Sequence, residues 1–353
     1  MTDGCDVCEE AVKHVTTAET VITFHMERTV VYGSGRKATN LKTRRKELLA
    51  KFCNHVCALR NSGGGFLLIH FTGNKETGSR DLNAFDELVD LRLNAMIEDD
   101  TLFVDNYERS WLNDRVVILK VKSSPSCSTS DFKTKIPLDD RLIDPSARNI
   151  PNLYNLTPGD RTPMLPPQPQ VLIDWSQDVV ALHESRSIEM KCWGIGFVVP
   201  SDVERKALLI WETLKLRENI TAMTKLIRGG SFYCGIEEEL VDTGDYKLKK
   251  SKVCGMTLTE GEREDLSRIL LHKVQTDMMW TNRTNESIGP PVDAIQILFH
   301  KVREETFVME VVITFFDGLV FYDKAGPECY VVNSDLTPRR VEFSEWIQRV
   351  RPE

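Results

Sequence analysis

The stretch Asn61-Ser62-Gly63-Gly64-Gly65-Phe66-Leu67-Leu68-Ile69-His70-Phe71 decides the fold. Ahead of it, Leu41 to Arg60 carries Leu48, Leu49, Phe52, Val56 and Leu59 at helical spacing, which predicts a helix with one apolar face. The glycines stop that helix, and Phe66 to Phe71 reads as a buried strand. The same plan returns in the second half. Ser201-Asp202 predicts a helix start, and the helix runs through Leu208, Leu209, Trp211 and Leu214 to Met223 and Leu226. Gly229-Gly230 stops it, and Ser231 to Ile236 is the second strand. A helix and a late hairpin follow each strand. They are predicted near Asn83 to Met96 and at Arg115 to Lys122 in the first half. In the second half they are Glu260 to Val274, Ala294 to His300 and Phe307 to Phe316. The predicted class is α+β, two repeated lobes with mixed sheets. The proline-dense Thr157 to Pro169 can neither pair as a central strand nor continue a helix, and reads as a bridge. The expected division is a disordered N-terminus at 1–20, an N-terminal lobe at 21–156, the bridge at 157–175 and a C-terminal lobe at 176–353.

With 41% hydrophobic residues the 353-residue chain can build a real core, and no apolar run is long enough for a membrane span. The N-terminus lacks the basic-then-apolar pattern of a secretory signal. Nine scattered cysteines, an odd number, read as reduced thiols in a cytosolic or nuclear protein, with the cytoplasm as the expected location. Cys53 and Cys57 read as core residues. Cys5-Asp6-Val7-Cys8 offers two ligands of the four a tetrahedral zinc site needs, and no His/Cys pair lies near it in sequence, so no zinc is expected there. The seven histidines are dispersed and no Gly-x-Ser-x-Gly elbow occurs, which argues against a nucleophile-type active site. Gly33-Ser34-Gly35-Arg36-Lys37 lacks the frame of a phosphate-binding P-loop and reads as a loop presenting Arg36 and Lys37 to backbone phosphates.

The chemistry-bearing residues are charged. Glu184, Glu189 and Lys191 fall within one short stretch, and Gly229-Gly230 leads through a strand to Glu237, Glu238 and Glu239. Carboxylates meeting from two strand ends, with a lysine beside them, suit a hard divalent cation and a phosphodiester. Glu189 and Lys191 share a strand face at spacing two. Glu184 joins them only if Ser185-Arg186-Ser187 turns. The alternative is a surface glutamate pair neutralised by Arg186 and Lys191. Although the net charge is −8, cations cluster at Arg36, Lys37, Lys42, Arg44, Arg45 and Lys46, at Lys247, Lys249, Lys250 and Lys252, and at Arg339, Arg340, Arg349 and Arg351. Any one cluster alone reads as a solvated face. Three clusters around an acidic site favour a path for RNA or DNA.

These residues resemble the Schlafen core-domain family, in its short, core-only form. The resemblance rests on Asn61-Ser62-Gly63-Gly64-Gly65, on Glu184/Glu189 before a helix, on Gly229-Gly230 followed by Gly235-Ile236-Glu237-Glu238, on Val253-Cys254-Gly255, and on Phe343-Ser344-Glu345-Trp346. It spans most of the chain from about Tyr32 onward and implies two Schlafen/AlbA-like lobes forming a U-shaped cleft for base-paired RNA. It also implies a metal-dependent endoribonuclease with three acids: Glu184, Glu189 and Glu237, or Glu238 if the strand slips by one. Mg²⁺ or Mn²⁺ is the implied cofactor. The family's third acid is an aspartate, so glutamate here shifts the metal geometry. The family's structural zinc ligands are missing around Asp317-Gly318 and between His272 and Trp280. No structural zinc is therefore expected, and Met278, Met279, Trp280, Phe315 and Phe316 must hold that lobe by apolar packing.

Two functions follow from this reading. One is an endoribonuclease cutting tRNA-like RNA or small-RNA precursors, such as piRNA precursors. The other is a non-catalytic RNA-binding or scaffold subunit that pairs with another Schlafen-like chain.

Overall fold

Each half of the chain is organised by a parallel pair of strands bridged by helix. The computed structural model describes residues 5–15, 18–32, 38–73, 89–99, 101–149, 173–193, 199–242, 247–282, 284 and 286–350. Arg36, Lys37, Arg351, most of the predicted bridge and the start of the predicted 83–96 helix lie outside these residues, as does the side chain of Lys247. The fold is mixed α+β with several small sheets.

The chain forms two compact units. The first comprises Met1–Phe132, Pro145–Pro151 and Pro327–Glu353; the second comprises Lys133–Asp144 and Asn152–Gly326. The division departs from sequence order. The C-terminal segment, expected with the second lobe, belongs to the first unit. Its strand Tyr330–Val332 packs Tyr330 and Val332 on the first core, and Trp346 is fully buried with its indole N–H on Thr129 Oγ1 at 2.9 Å.

In the first unit Val21–Glu27 runs parallel to Gly65–Thr72, which pairs antiparallel with Val116–Val121, and Tyr107–Trp111 closes the sheet. The crossover is the helix Ala38–Asn61, matching the predicted helix within a turn at each end. Gly63, Gly64 and Gly65 have φ of +94°, +86° and +139°, so three residues without Cβ turn the chain from helix into strand. Asn61 is structural: its amide nitrogen donates to the Ser128 and Tyr330 carbonyls at 2.9 Å, and its oxygen accepts from Ser128 N at 2.8 Å. One sheet face (Ile22, Phe24, Met26, Leu67, Ile69, Phe71) packs on Phe52, Val56 and Leu59 of the crossover helix.

The other face is covered by a helix that sequence did not foresee. Residues 1–20 were expected to be disordered, yet Asp6–Lys13 is an α-helix with Cys8 and Ala11 buried. Ala11 packs with Leu68 and Val116, and Val7 and Val15 flank them. A single stripe of small apolar residues suffices because a two-sided sheet leaves an apolar face to cover.

The second unit repeats the order of strands, with Ile188–Lys191 parallel to Gly230–Cys234, then Thr306–Ile313 and Ile295–Arg303 antiparallel. Its helical crossover differs from expectation. Val203–Leu208 is capped by Asp202 accepting from Arg205 N at 2.8 Å, as predicted. A wide turn at Leu209–Thr213 and a left-handed Lys215 (φ +61°) then break the helix before Leu216–Met223. The extra residue in the wide turn lets Ile210, Trp211, Leu214, Leu216 and Ile220 all enter one core. Met278, Trp280 and Phe316 lie in that core, with Trp280 and Phe316 edge to face at 5.1 Å. Among the described residues no helix is long and apolar enough to cross a membrane.

Candidate functional site

The acids of the second unit are assembled by one turn and one bend. Ser185 N donates to Ile188 O at 2.9 Å and Ile188 N to Ser185 O at 3.3 Å, so Ser185–Ile188 reverses the chain just before the Ile188–Lys191 strand. The reversal carries Glu184 back alongside the strand, where its carboxylate accepts from Met190 N at 3.3 Å. Met190 points into a core with Tyr233, Ile236 and Val253, while Glu189 and Lys191 leave the other side. The Lys191 ammonium pairs with Glu189 and lies 3.7 Å from Glu184 Oε1. Burial first, and then the Glu189 charge, raise the proton affinity of Glu184; Lys191 and the Met190 amide oppose them.

The second set of acids arrives through Gly235. The strand Gly230–Cys234 ends there, and Ile236–Asp242 leaves for a different sheet, pairing antiparallel with Lys247–Val253. Gly235 has φ +103°, and a Cβ on it would lie 3.1 Å from Gly255 Cα. Gly235→Ala is therefore expected to destabilise this unit by about 1–3 kcal/mol, through strain and contact together. Denaturant unfolding checks it, and an unchanged midpoint would remove the bend from the account.

Alternation on the Ile236–Asp242 strand then sorts the glutamates. Glu238 stands opposite Ser251 and pairs with Lys249 at 2.8 Å, and the charges of Glu238 and Glu184 act on one another. Lys249, which also lies 3.8 Å from Asp140, is pushed up chiefly by its bond to Glu238. Glu237 stands opposite Lys252 on the reverse face and meets sulfur: its Oε2 is 3.8 Å from Cys254 Sγ, which is 3.6 Å from Cys192 Sγ. Glu239 shares that reverse face and pairs with Lys252 at 3.2 Å. Glu184 and Glu189 thus share Lys191, the Glu238–Lys249 pair acts on Glu184 through its charge, and Glu237 lies on the reverse face of its strand.

The predicted cation clusters are divided similarly. Lys249 lies on the acid face, while Lys250 and Lys252 are exposed on the reverse face. In the first unit Lys42 and Lys46 are exposed, Arg44 pairs with Glu27 at 2.6 Å, and Arg45 donates Nε to Val30 O at 3.0 Å. Sequence did not point to a polar cavity of ≈ 310 Å³ lined by Lys133, Arg217, Lys324 and Tyr322, with Asp277 and Asp323. Lys133, Lys135 and Arg217 stand within 6 Å of the Tyr322 ring.

Two other clusters were also missed. Glu310 is buried and its carboxylate accepts from Ser231 Oγ at 2.7 Å and Tyr233 OH at 2.8 Å, with His300 Nε2 at 2.7 Å. Trp175 stacks on His300 at 4.9 Å. Burial pushes Glu310 up, but the three hydrogen bonds outweigh it and hold the carboxyl below its ordinary value. The second cluster stands around Cys5 and Cys8, which have no His/Cys pair near them in sequence. Strands distant in sequence bring His25 and His70 to them, and the four ligand atoms lie within 4.8 Å of one another. Among the described residues, the Cys/His/Asp/Glu groups gathered this closely are that quartet and Cys192/Glu237/Cys254; Glu184, Glu189 and Glu238 do not form such a set.

No family model matches the chain, and no curated protein matches it. Among solved structures it is similar to the DIP2311 protein from Corynebacterium diphtheriae, at 16% identity and a TM-score of 0.25. That match covers 49% of this chain and 29% of that one.

Proposed function

We propose that the chain is a divalent-metal-dependent endoribonuclease, or the catalytic subunit of one, acting on folded RNA of the tRNA or small-RNA-precursor kind. The observation that carries the reading is the sharing of Lys191 by Glu184 and Glu189, with the Glu238–Lys249 pair acting on Glu184 through its charge. Burial first, and the Glu189 charge second, raise the proton affinity of Glu184 at the centre of this group. An all-oxygen donor set of this kind fits Mg²⁺ or Mn²⁺, which when bound supplies positive charge at the phosphate and acidifies the attacking water. Lys191 lies between Glu184 and Glu189, so its ammonium is placed to meet a phosphate oxygen brought to these carboxylates, where it would offset charge built up in the transition state. Glu184 is the carboxylate suited to take a proton, because burial and Glu189 both strengthen it as a base. Lys42, Lys46 and Lys250, and the cations around Tyr322, are the groups proposed to hold the RNA backbone and a stacked base.

A second reading is favoured by the pairing itself. Lys191 and Lys249 already neutralise much of the acidic charge, and the three carboxylates are not gathered as metal ligands. On that reading the chain is a non-catalytic RNA-binding or scaffold subunit of a hetero-oligomer. Incubating the lone chain with folded tRNA and Mn²⁺ or Mg²⁺, with and without chelator, separates the two. Chelator-sensitive cuts support the enzyme, and retention without cuts supports the subunit. Neither retention nor cuts sinks both.

Cleavage by the lone chain should also rise with pH through a midpoint above 4.5, the ordinary carboxyl value, as Glu184 loses its proton. Lys191 lowers the proton affinity of Glu184, so Lys191→Ala should move that acid limb to higher pH, as well as slowing the reaction. Coincident acid limbs in the two pH–rate profiles would remove Glu184 from the proton transfer.

A further inference from the structure

We propose that Cys5, Cys8, His25 and His70 form a closed, structural zinc site in the first unit, independent of the acidic site of the second. Cys5 is the N-cap of the Asp6–Lys13 helix and Cys8 sits in its first turn, so the Cys-x-x-Cys spacing puts both sulfurs at one helix end. His25 and His70 are direct neighbours across the parallel strand pair, on the sheet face that this helix covers. The quartet therefore stands where helix and sheet meet, at the edge of the apolar contact made by Ala11, Leu68 and Val116.

The distances fit a tetrahedron. Cys8 Sγ is 3.1 Å from His25 Nε2 and 3.7 Å from His70 Nδ1, and Cys5 Sγ is 3.5 Å from His70 Nδ1. Zinc bonds of about 2.3 Å to sulfur and 2.0–2.1 Å to nitrogen, at tetrahedral angles, require sulfur–nitrogen edges of about 3.5 Å. The two imidazoles meet edge to face at 5.2 Å, so their nitrogens converge without stacking. Cys8 is 1% and His70 8% exposed, so two ligands are already withdrawn from water. Two thiolates with two imidazoles are the donor set of Zn²⁺, and four protein ligands leave no position for a reacting water. The role is accordingly to pin the N-terminal helix to the sheet.

The test uses the full chain purified without chelator from zinc-supplemented medium. About one zinc per chain is expected by elemental analysis, and Co²⁺ exchange should give the visible bands of a tetrahedral sulfur–nitrogen site. Cys5→Ser with Cys8→Ser should reduce bound zinc at least about tenfold and abolish those bands. Should that variant fail to fold, His25→Asn is the second measure, because His25 is exposed and three ligands remain. It should bind Co²⁺ about 10- to 100-fold more weakly, with altered bands. A strong chelator should lower the melting temperature of the parent chain by several degrees and leave that of the double cysteine variant unmoved. A parent chain with less than about a tenth of a zinc per molecule and no tetrahedral cobalt bands overturns the proposal. So does a zinc content that neither variant changes.

Discussion

Glu189→Ala is expected to slow RNA cleavage by about 10²–10³-fold or more while RNA retention in a gel-shift assay stays within about threefold. Glu189 shares Lys191 with Glu184, so its removal deletes one carboxylate, loosens the lysine and lowers the proton affinity of Glu184 at once. Its ion pair is with Lys191 rather than with a lysine proposed to hold the RNA. The paired variants Glu238→Ala and Glu237→Ala then decide the third acid. Strand alternation puts Glu238 on the face of Lys249, where its charge acts on Glu184, and puts Glu237 against Cys254. Glu238→Ala should therefore resemble Glu189→Ala, and Glu237→Ala should cut within about threefold of the parent chain. A Glu189→Ala protein that cuts at the parental rate moves the site elsewhere. A loss confined to Glu237→Ala would transfer the chemistry to the sulfur-lined face.

Glu310→Ala should cost about 3–5 kcal/mol of stability, a large effect for a polar residue. Three buried or half-buried donors, from Ser231, Tyr233 and His300, converge on this one carboxylate. Alanine leaves all three without an acceptor, and unpaired buried donors carry the full desolvation penalty. Glu304→Ala, exposed in the turn of the same hairpin, should change stability by less than about 0.5 kcal/mol. Guanidinium unfolding monitored by tryptophan fluorescence compares them, and a loss below about 1 kcal/mol at position 310 would make the network incidental. The same network has a pH signature. Its hydrogen bonds hold the folded-state value of Glu310 below the unfolded one, so its contribution is present above the ordinary carboxyl value of 4.5 and disappears as pH falls through the lower folded value. Acid unfolding of the parent chain should thus show a step in that window that Glu310→Gln lacks.

Local features were legible in the sequence wherever a local cause was sufficient. Apolar spacing from Leu48 to Leu59 marked the Ala38–Asn61 helix, Asp202 marked a helix start, and Thr259 with Glu262 forms a capping box at the start of a predicted helix. The helix break at Leu209–Lys215 carried no such sign, since no proline or glycine marks it and only the packing of Trp211 and Leu216 against one core selects it. Among the acids, the nearness of Glu184, Glu189 and Lys191 could be read, because a tight turn acts over a few residues. The choice between Glu237 and Glu238 could not, because a shift of one residue exchanges the two faces of a strand.

The chain's own order of residues thus determined most of the helices and strands, and which segments carry the reactive groups. Tertiary structure alone decided which of those groups meet. His25 and His70 are 45 positions apart in the numbering yet adjacent across a parallel pair, and the helix bearing Cys5 and Cys8 reaches them only because an apolar sheet face needed cover. Propensity and capping act within a few residues, whereas strand register and the burial of a sheet face are properties of the whole folded unit.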